Sequence, residues 1–370
     1  MRLRLEQYMP ALSRDGYEIV RVLIPQGSRS SNPRAWNRLR EVIGDVDIVV
    51  VQRLLEAPLV RILRSARMPT VFDIDDATYY IRPGQVQRML GETNVIDRLR
   101  MAYRSAVRGN PYFSSRKRQL DRMIDLSSVV IAGNETVRDD LVSFGCEEVI
   151  VIPTAVPVEN RPPKTHGSAR PVRIGWIGTR NGLEYLSRLE PAFRDLAAKV
   201  GDAAELVVCT SREYRSPNLA TEFIPWSVES ESQTVESFDI GIMPLSDDPY
   251  SRGKSAFKAI LCMSFGVPVV ISPVGANATL VRHGENGFLA TTDHQWSMYL
   301  ERLINEPELR TRIGTHAFQT IKDDYSASGA YRALTDVLDA VRRPRAAETS
   351  ESTCPVMTRN GVAGRQQNGD

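Results

Sequence analysis

Two lysines and three aspartates are the residues of this 370-residue chain whose types and spacing suggest chemistry. Lys254 and Lys258 follow an apolar strand that ends at Pro244 and opens through a polar loop into a helix. That helix is expected to start at or near Ser255, a good N-cap residue, and to stop at Gly266. The spacing puts both lysines on one face of its first turn, where the helix dipole disfavours positive charge. Two readings are open: a pair of solvated surface lysines, or a cationic clamp that works with free backbone amides on a diphosphate. The second cluster is Asp73, Asp75 and Asp76, delivered by the buried run Thr70-Val-Phe-Asp-Ile-Asp-Asp to its carboxyl edge. Such carboxylates can hold a divalent cation, orient ligand hydroxyls, or cap the next helix.

The elements that must position these groups are short Val/Ile-rich runs alternating with longer helical patterns. Strands are expected at Glu18–Ile24, Asp47–Gln52, Thr70–Asp73, Ser128–Ala132 and Val149–Ile152. A second series follows at Val172–Gly178, Glu205–Cys209, Asp239–Pro244 and Pro268–Ser272. Nearly continuous apolar runs fit parallel sheets covered on both faces, and strand–helix repetition fits βαβ units with right-handed crossovers. The fold class expected is therefore α/β, with two doubly wound parallel-sheet domains. Residues 1–160 form the first and 172–342 the second; 161–171, rich in proline and polar residues, form a linker, and 343–370 a tail of disordered composition. Two such domains face a cleft at the carboxyl ends of their strands, where ligands bind.

Composition narrows the classes further. Apolar residues at 42% and charged residues at 25% are ordinary for a soluble globular chain, and a net charge of +2 gives no reason to expect nucleic acid. The four cysteines include no CxxC pair, which fits a reducing cytoplasm and no zinc ribbon. The four histidines have no metal-ligand spacing, so no metal site is expected from them. The uncharged stretch Ala259–Val281 is broken by Gly266, Pro268, Pro273 and Gly275, and reads as helix, turn, strand and loop rather than a membrane span. Gly175, Gly178 and Gly182 are spaced G-x-x-G-x-x-x-G, which is not the dinucleotide-binding fingerprint. Asn286-Gly287 reads as a tight turn. Between Arg98 and Arg122 there are eight basic residues and one acidic one, interleaved with Tyr103, Tyr112 and Phe113. That run is either a solvated helical face or a peripheral contact for anionic lipid at the inner face of a membrane.

Taken in order, the strand ending M-P-L, the G-K-S-x-x-K helix start, G-V-P-V-V, S-P-V-G and H-G-x-N-G-F-L-A resemble the donor-binding region of the group 1 glycosyl transferases. These are nucleotide-sugar enzymes with two Rossmann-like domains, the GT-B fold. The resemblance runs well from Val172 to Tyr325 and loosely before that. It implies that Lys254 and Lys258, with Ser255 beside them, contact the donor diphosphate, and that Arg180 in I-G-T-R-N-G neutralises the same phosphates. The glycine loop of Gly178 and Gly182 would lie next to them, and Gly275, Ala276 and Asn277 would approach the donor sugar. D-I-D-D after a strand recurs in the first domain of relatives, which places Asp75 and Asp76 in the catalytic cleft. Asp75 stands where others have a donor-facing histidine. Many members carry two glutamates eight residues apart; here those positions are Gly253 and Leu261.

R-L-E-Q-Y-M-P-A-L resembles the family's first helix and Glu18–Ile24 its second strand, so a first strand and its loop are expected to be missing. The activity implied is transfer of a sugar from a nucleoside-diphosphate sugar to a carbohydrate, lipid-linked or small-molecule acceptor, with retention and no obligatory metal or other cofactor. Three alternatives stay open: a metal-dependent glycosyltransferase using Asp73 and Asp75, a nucleotide-sugar epimerase, and a non-catalytic sugar-nucleotide-binding protein.

Overall fold

The computed structural model describes residues 3–24, 33–81, 113, 116–158 and 162–342. Most of the basic run, including Arg98, Arg100, Arg104 and Arg108 with Tyr103 and Tyr112, lies outside the described residues, as does the tail 343–370. The first sheet is parallel, in the order β1 (Val49–Gln52), β2 (Thr70–Ile74), β3 (Val129–Ala132), β4 (Val149–Val151). Its helices are α1 (Met9–Arg14), α2 (Pro33–Val42), α3 (Ala57–Ala66), α4 (Lys117–Ile124) and α5 (Glu135–Ser143). All five residues of β2 are buried because both faces are covered. Phe72 and Ile74 pack among Trp36 and Leu39 of α2 and Leu59 and Leu63 of α3. Val71 packs on the other face with Tyr8, Leu12 and Leu334. Burying a side chain such as Phe72 contributes about 2–3 kcal/mol.

The second sheet holds β5 (Val172–Ile177), β6 (Ala204–Thr210), β7 (Thr221–Pro225), β8 (Ile240–Met243), β9 (Val269–Ile271) and β10 (Phe288–Leu289). Its order is β10-β9-β8-β5-β6-β7, with every pairing parallel. Its helices are α6 (Leu183–Ser187), α7 (Glu190–Val200), α8 (Val228–Glu236), α9 (Pro249–Arg252), α10 (Phe257–Met263), α11 (Ala276–Leu280), α12 (Asp293–Asn305) and α13 (Pro307–Asp324). Gly175 is needed beneath Phe238: a Cβ there would lie 2.0 Å from the ring. The chain builds outward from β5 to β7, then returns to lay β8 on the other side of β5. That reversal is a topological switch point, the place where loops diverge and leave a crevice for a ligand.

The expected Glu18–Ile24 strand does not form. Those residues pair with no strand, and Ile19, Val20 and Leu23 are exposed. A cavity of about 640 Å³ lies between them and the outer edge of β1, so no ladder partner is in reach. The segment expected as the interdomain linker packs against the second domain. Lys164 N donates to the Phe265 carbonyl at 2.9 Å, Lys164 Nζ pairs with Asp239, and the buried His166 meets the Gly266 carbonyl. The last helix among the described residues, α14 (Ala327–Arg342), crosses back, and its Leu334, Val337 and Leu338 complete the first domain's core. The two crossings run side by side, joined by Val156 N to Tyr325 O at 3.1 Å and Ala327 N to Val156 O at 3.0 Å.

Candidate active site

The carboxyl end of β2 carries the aspartates. Asp73 is not available to a metal or ligand: it is 1% exposed, and both of its oxygens accept from the buried Arg4. Burial pushes its carboxyl up, and Arg4 pulls it back down. A two-aspartate metal site of Asp73 and Asp75 therefore does not fit this geometry. Asp75 and Asp76 share a second guanidinium, Arg53, which lies 2.9 Å from Asp75 Oδ1 and 3.2 Å from Asp76 Oδ2. Arg53 immediately follows β1 with φ 55°, a left-handed turn that aims the side chain back over the β2 edge. Its own N–H extends the ladder by donating to the Asp73 carbonyl. Burial, then the neighbouring Asp75 charge, raises the Asp76 carboxyl, opposed by Arg53 and by the N–H of Ser255.

That N–H belongs to the other domain. Ser255 N donates to Asp76 Oδ1 at 3.1 Å, and Ala77 N donates to the Gly253 carbonyl at 3.0 Å. The β2 loop of the first domain therefore rests directly on the loop that leads into α10. Asp248 caps α9 by accepting from Ser251 N at 3.0 Å, with Pro249 in the first turn. The chain then turns at Gly253, where a Cβ would sit 2.1 Å from that of Ala77. Ser255 is not the cap of α10, contrary to expectation. The N-cap is Ala256 at φ 54°, and no side chain caps the helix, because Ser255's backbone is committed across the cleft.

The lysines are accordingly not on one helical face. Lys254 precedes the helix and Lys258 lies in its first turn. They nevertheless converge on an aromatic shelf: Lys254 Nζ lies 4.3 Å from the Tyr185 ring centroid and 5.3 Å from Tyr250, and Lys258 Nζ lies 4.3 Å from Trp176. Cation–π contacts of this kind are worth about 0.5–2 kcal/mol each. Tyr185 is anchored through its hydroxyl to Ser251 Oγ at 2.9 Å, and its phenol is pushed up to about 12 by burial. Gly178 and Gly182, from the turn after β5, frame the Lys258 amine. Burial, then the charge of Lys254, lowers that amine to about 7.

Arg180 stands on the turn Arg180–Gly182, exposed and without an ion-pair partner among the described residues. Lys258, Arg180 and the glycine turn thus all stand at the β5/β8 switch point. Gly275, at φ 55°, lies against the Arg252 carbonyl, where a Cβ would be 1.9 Å away. Ala276 follows, but the Asn277 side chain turns inward: the residue is 1% exposed and its amide donates to the Ser272 carbonyl. Asn286 is more than a turn residue. Fully buried, it bonds Arg282 N, the Leu280 carbonyl and Thr320.

Arg4, Arg53, Trp176 and Tyr185 were not among the expected site residues. Arg53 carries a signal in retrospect, since an arginine directly after a buried strand neighbours the strand that ends in D-I-D-D. Of the basic run, Lys117 is folded inward, 3.9 Å over the Phe144 ring and paired with Asp121. Among the described residues no group of three or more His, Cys, Asp or Glu is arranged to hold a metal ion, and no helix is long and apolar enough to cross a membrane.

Two parallel-sheet α/β domains meeting at the carboxyl ends of their strands, with a cationic crevice at the switch point of the second, define a GT-B architecture. Residues 172–306 match the family described as "Glycosyl transferases group 1". A Xenopus tropicalis protein named "Glycosyltransferase 1 domain-containing protein 1" is 32% identical over 83 residues, which is 22% of this chain and 24% of that protein. The match thus spans about a quarter of that relative. Among solved structures, S. aureus TarM superposes with a TM-score of 0.61 at 13% identity, over 84% of this chain and 57% of TarM. Anabaena HepE in complex with UDP gives 0.60 at 14% identity, over 90% and 89%. Sucrose-phosphate synthase from Thermosynechococcus elongatus gives 0.57 at 11% identity, over 86% and 80%. At these identities the likeness is one of fold.

Proposed function

We propose that this chain is a glycosyltransferase that moves a sugar from a nucleoside-diphosphate sugar to an acceptor hydroxyl. The observation that carries the reading is the Lys258 amine, held over Trp176 at the switch point with Lys254 beside it and Arg180 on the adjoining turn. Positive groups fixed in a crevice before the reaction suit a leaving diphosphate. They stabilise the charge that develops as the bond to the anomeric carbon breaks through an oxocarbenium-like transition state, and one such preorganised donor is worth about 3–4 kcal/mol. With these side chains in place no divalent metal is required of the mechanism. Asp75 and Asp76, oriented by Arg53, lie on the opposite wall and would meet donor or acceptor hydroxyls. Gly275 and Ala276 would approach the donor sugar. Retention of configuration, with no dedicated nucleophile, is what the resemblance to the group 1 glycosyl transferases implies. The contact of Asp76 with Ser255 brings the domains together over this crevice and would limit hydrolysis by water.

HepE and TarM have been crystallised with UDP, which makes UDP the first probe. The test is a thermal-shift panel of UDP, GDP, ADP and dTDP, each with a divalent cation and with EDTA. One nucleotide at 100 times its dissociation constant should stabilise by about 2.7 kcal/mol. The shift should persist in EDTA and disappear in Lys254→Ala. Stabilisation that requires metal, or none from any nucleotide, would sink the reading. A second reading, a sugar-nucleotide-binding protein without turnover, is favoured by Gly253 and Leu261 standing where many relatives have glutamates. It is distinguished by nucleotide binding without release of nucleoside diphosphate from any donor–acceptor pair.

A further inference from the structure

The Lys258 amine occupies a place shaped for a cation but supplied with no counter-charge. Its Nζ lies 4.3 Å from the ring of Trp176, itself 1% exposed. Two glycines leave it room: a Cβ at Gly178 would be 2.5 Å from Nζ and one at Gly182 3.3 Å away. Among the described residues no carbonyl, hydroxyl or carboxylate accepts a hydrogen bond from it. On its own helix the nearest titratable group is Cys262, a thiol that burial pushes up to about 12 and so keeps neutral. From the preceding loop comes Lys254, a like charge, while Arg180 on the turn after β5 is exposed. Beyond Lys254 lie the phenol of Tyr185, pushed up to about 12 by burial, and the ring of Tyr250. Across the cleft Asp76 faces Lys254, but it is held by Arg53 and Ser255 N.

We infer that diphosphate binding at this site is coupled to uptake of one proton by Lys258, whose amine has no counter-charge among the described residues in the empty crevice and is held as an ammonium once the phosphates arrive. The inference rests on the donor-site reading above and adds a linkage to it. Burial and Lys254 together bring the free amine to about 7, and a diphosphate supplies the missing opposite charge and raises it again. Above neutrality the complex then holds more protons than the free protein. The lysine's contribution to affinity is therefore full below pH 7 and falls as pH rises, approaching about tenfold per unit, until the bound amine itself titrates. Uptake is about half a proton at pH 7 and about one at pH 8. Nucleoside diphosphates carry a terminal phosphate that titrates near about 6, so by pH 8 the ligand is fully ionised and contributes nothing.

Calorimetric titration of UDP into the full chain at pH 8, in Hepes and in Tris, reads the coupling directly. The apparent enthalpy should change with buffer ionisation enthalpy with a slope of about one proton taken up. Lys258→Arg, charged at every working pH, should bind UDP with a slope near zero and little change in affinity from pH 7 to 9. A slope near zero in the unaltered chain, or an undiminished one in Lys258→Arg, overturns the inference. The free state is read without nucleotide by ¹³C-dimethyl-lysine NMR. The resonance that Lys258→Arg removes should titrate near pH 7, and a midpoint above about 9 overturns the inference whatever binds. A midpoint near 7 with no binding of UDP, GDP, ADP or dTDP overturns the donor-site reading, and the coupling with it, while the lowered amine stands.

Discussion

The two walls of the cleft handle charge in opposite ways. At the β2 edge every carboxylate is matched inside the protein: Asp73 by Arg4, and Asp75 and Asp76 by Arg53. At the start of α10 the Lys258 amine has no acidic partner among the described residues, and Arg180 is exposed. A buried charge with its partner in place is architecture, whereas one without a partner is an energetic deficit that a ligand can remove. The difference separates two clusters that look equally functional as sequence. Asp73 holds the first domain together, whereas Lys258 is poised for something that arrives.

The most damaging way to test that contrast is Asp73→Ala. It strands the Arg4 guanidinium at 6% exposure and should destabilise the fold by about 3–5 kcal/mol, measured by urea unfolding. Lys258→Met should do the reverse and leave stability equal or higher at pH 7. An equal loss in both variants would abolish the distinction. Next in size, Lys258→Ala should weaken nucleotide binding by about 1.5–3 kcal/mol in calorimetry, the worth of a charge-assisted contact. Arg53→Met should weaken it far less while lowering the melting temperature. Gly253→Ala should leave each domain folded but force the Ala77 contact apart, with turnover falling more than nucleotide affinity.

The smallest expected effect is in the unliganded chain. An unfolded lysine keeps its proton to about 10.4 and the folded Lys258 loses it near 7, so the unfolded state binds more protons in between. Stability from this residue therefore rises with pH from about 7 towards 10, relative to Lys258→Met. After screening the gain should be about 1 kcal/mol or less, visible as converging melting curves.

The sheets were readable because strands covered on both faces are written as unbroken apolar runs, as in Val129–Ala132 and Val269–Ile271. Thr221–Pro225 escaped notice as an edge strand carrying Glu222 and a terminal proline, and Phe288–Leu289 because two residues make no pattern. Glu18–Ile24 has the composition of a strand but not the neighbour, and pairing is decided by the neighbour. The chemistry followed the same rule. Lys254, Lys258 and the D-I-D-D run announce themselves locally. Arg4 lies 69 residues from Asp73, and nothing in either stretch states that they meet. The cap at Ala256 was illegible because its left-handed turn follows Ser255, whose N–H is hydrogen-bonded to the other domain, a contact that local sequence does not state.

Gly253 and Ala77 press together with no room for one more carbon, and this constrains how the sequence can drift. A glutamate at 253 could enter only if the residue facing it at 77 and the tilt of the first domain changed as well. The two positions are 176 apart in the chain yet are sterically coupled, so that a change at one restricts the other. Homologues that keep alanine at 77 in this setting should keep glycine at 253, and those that regain the glutamate should differ at both.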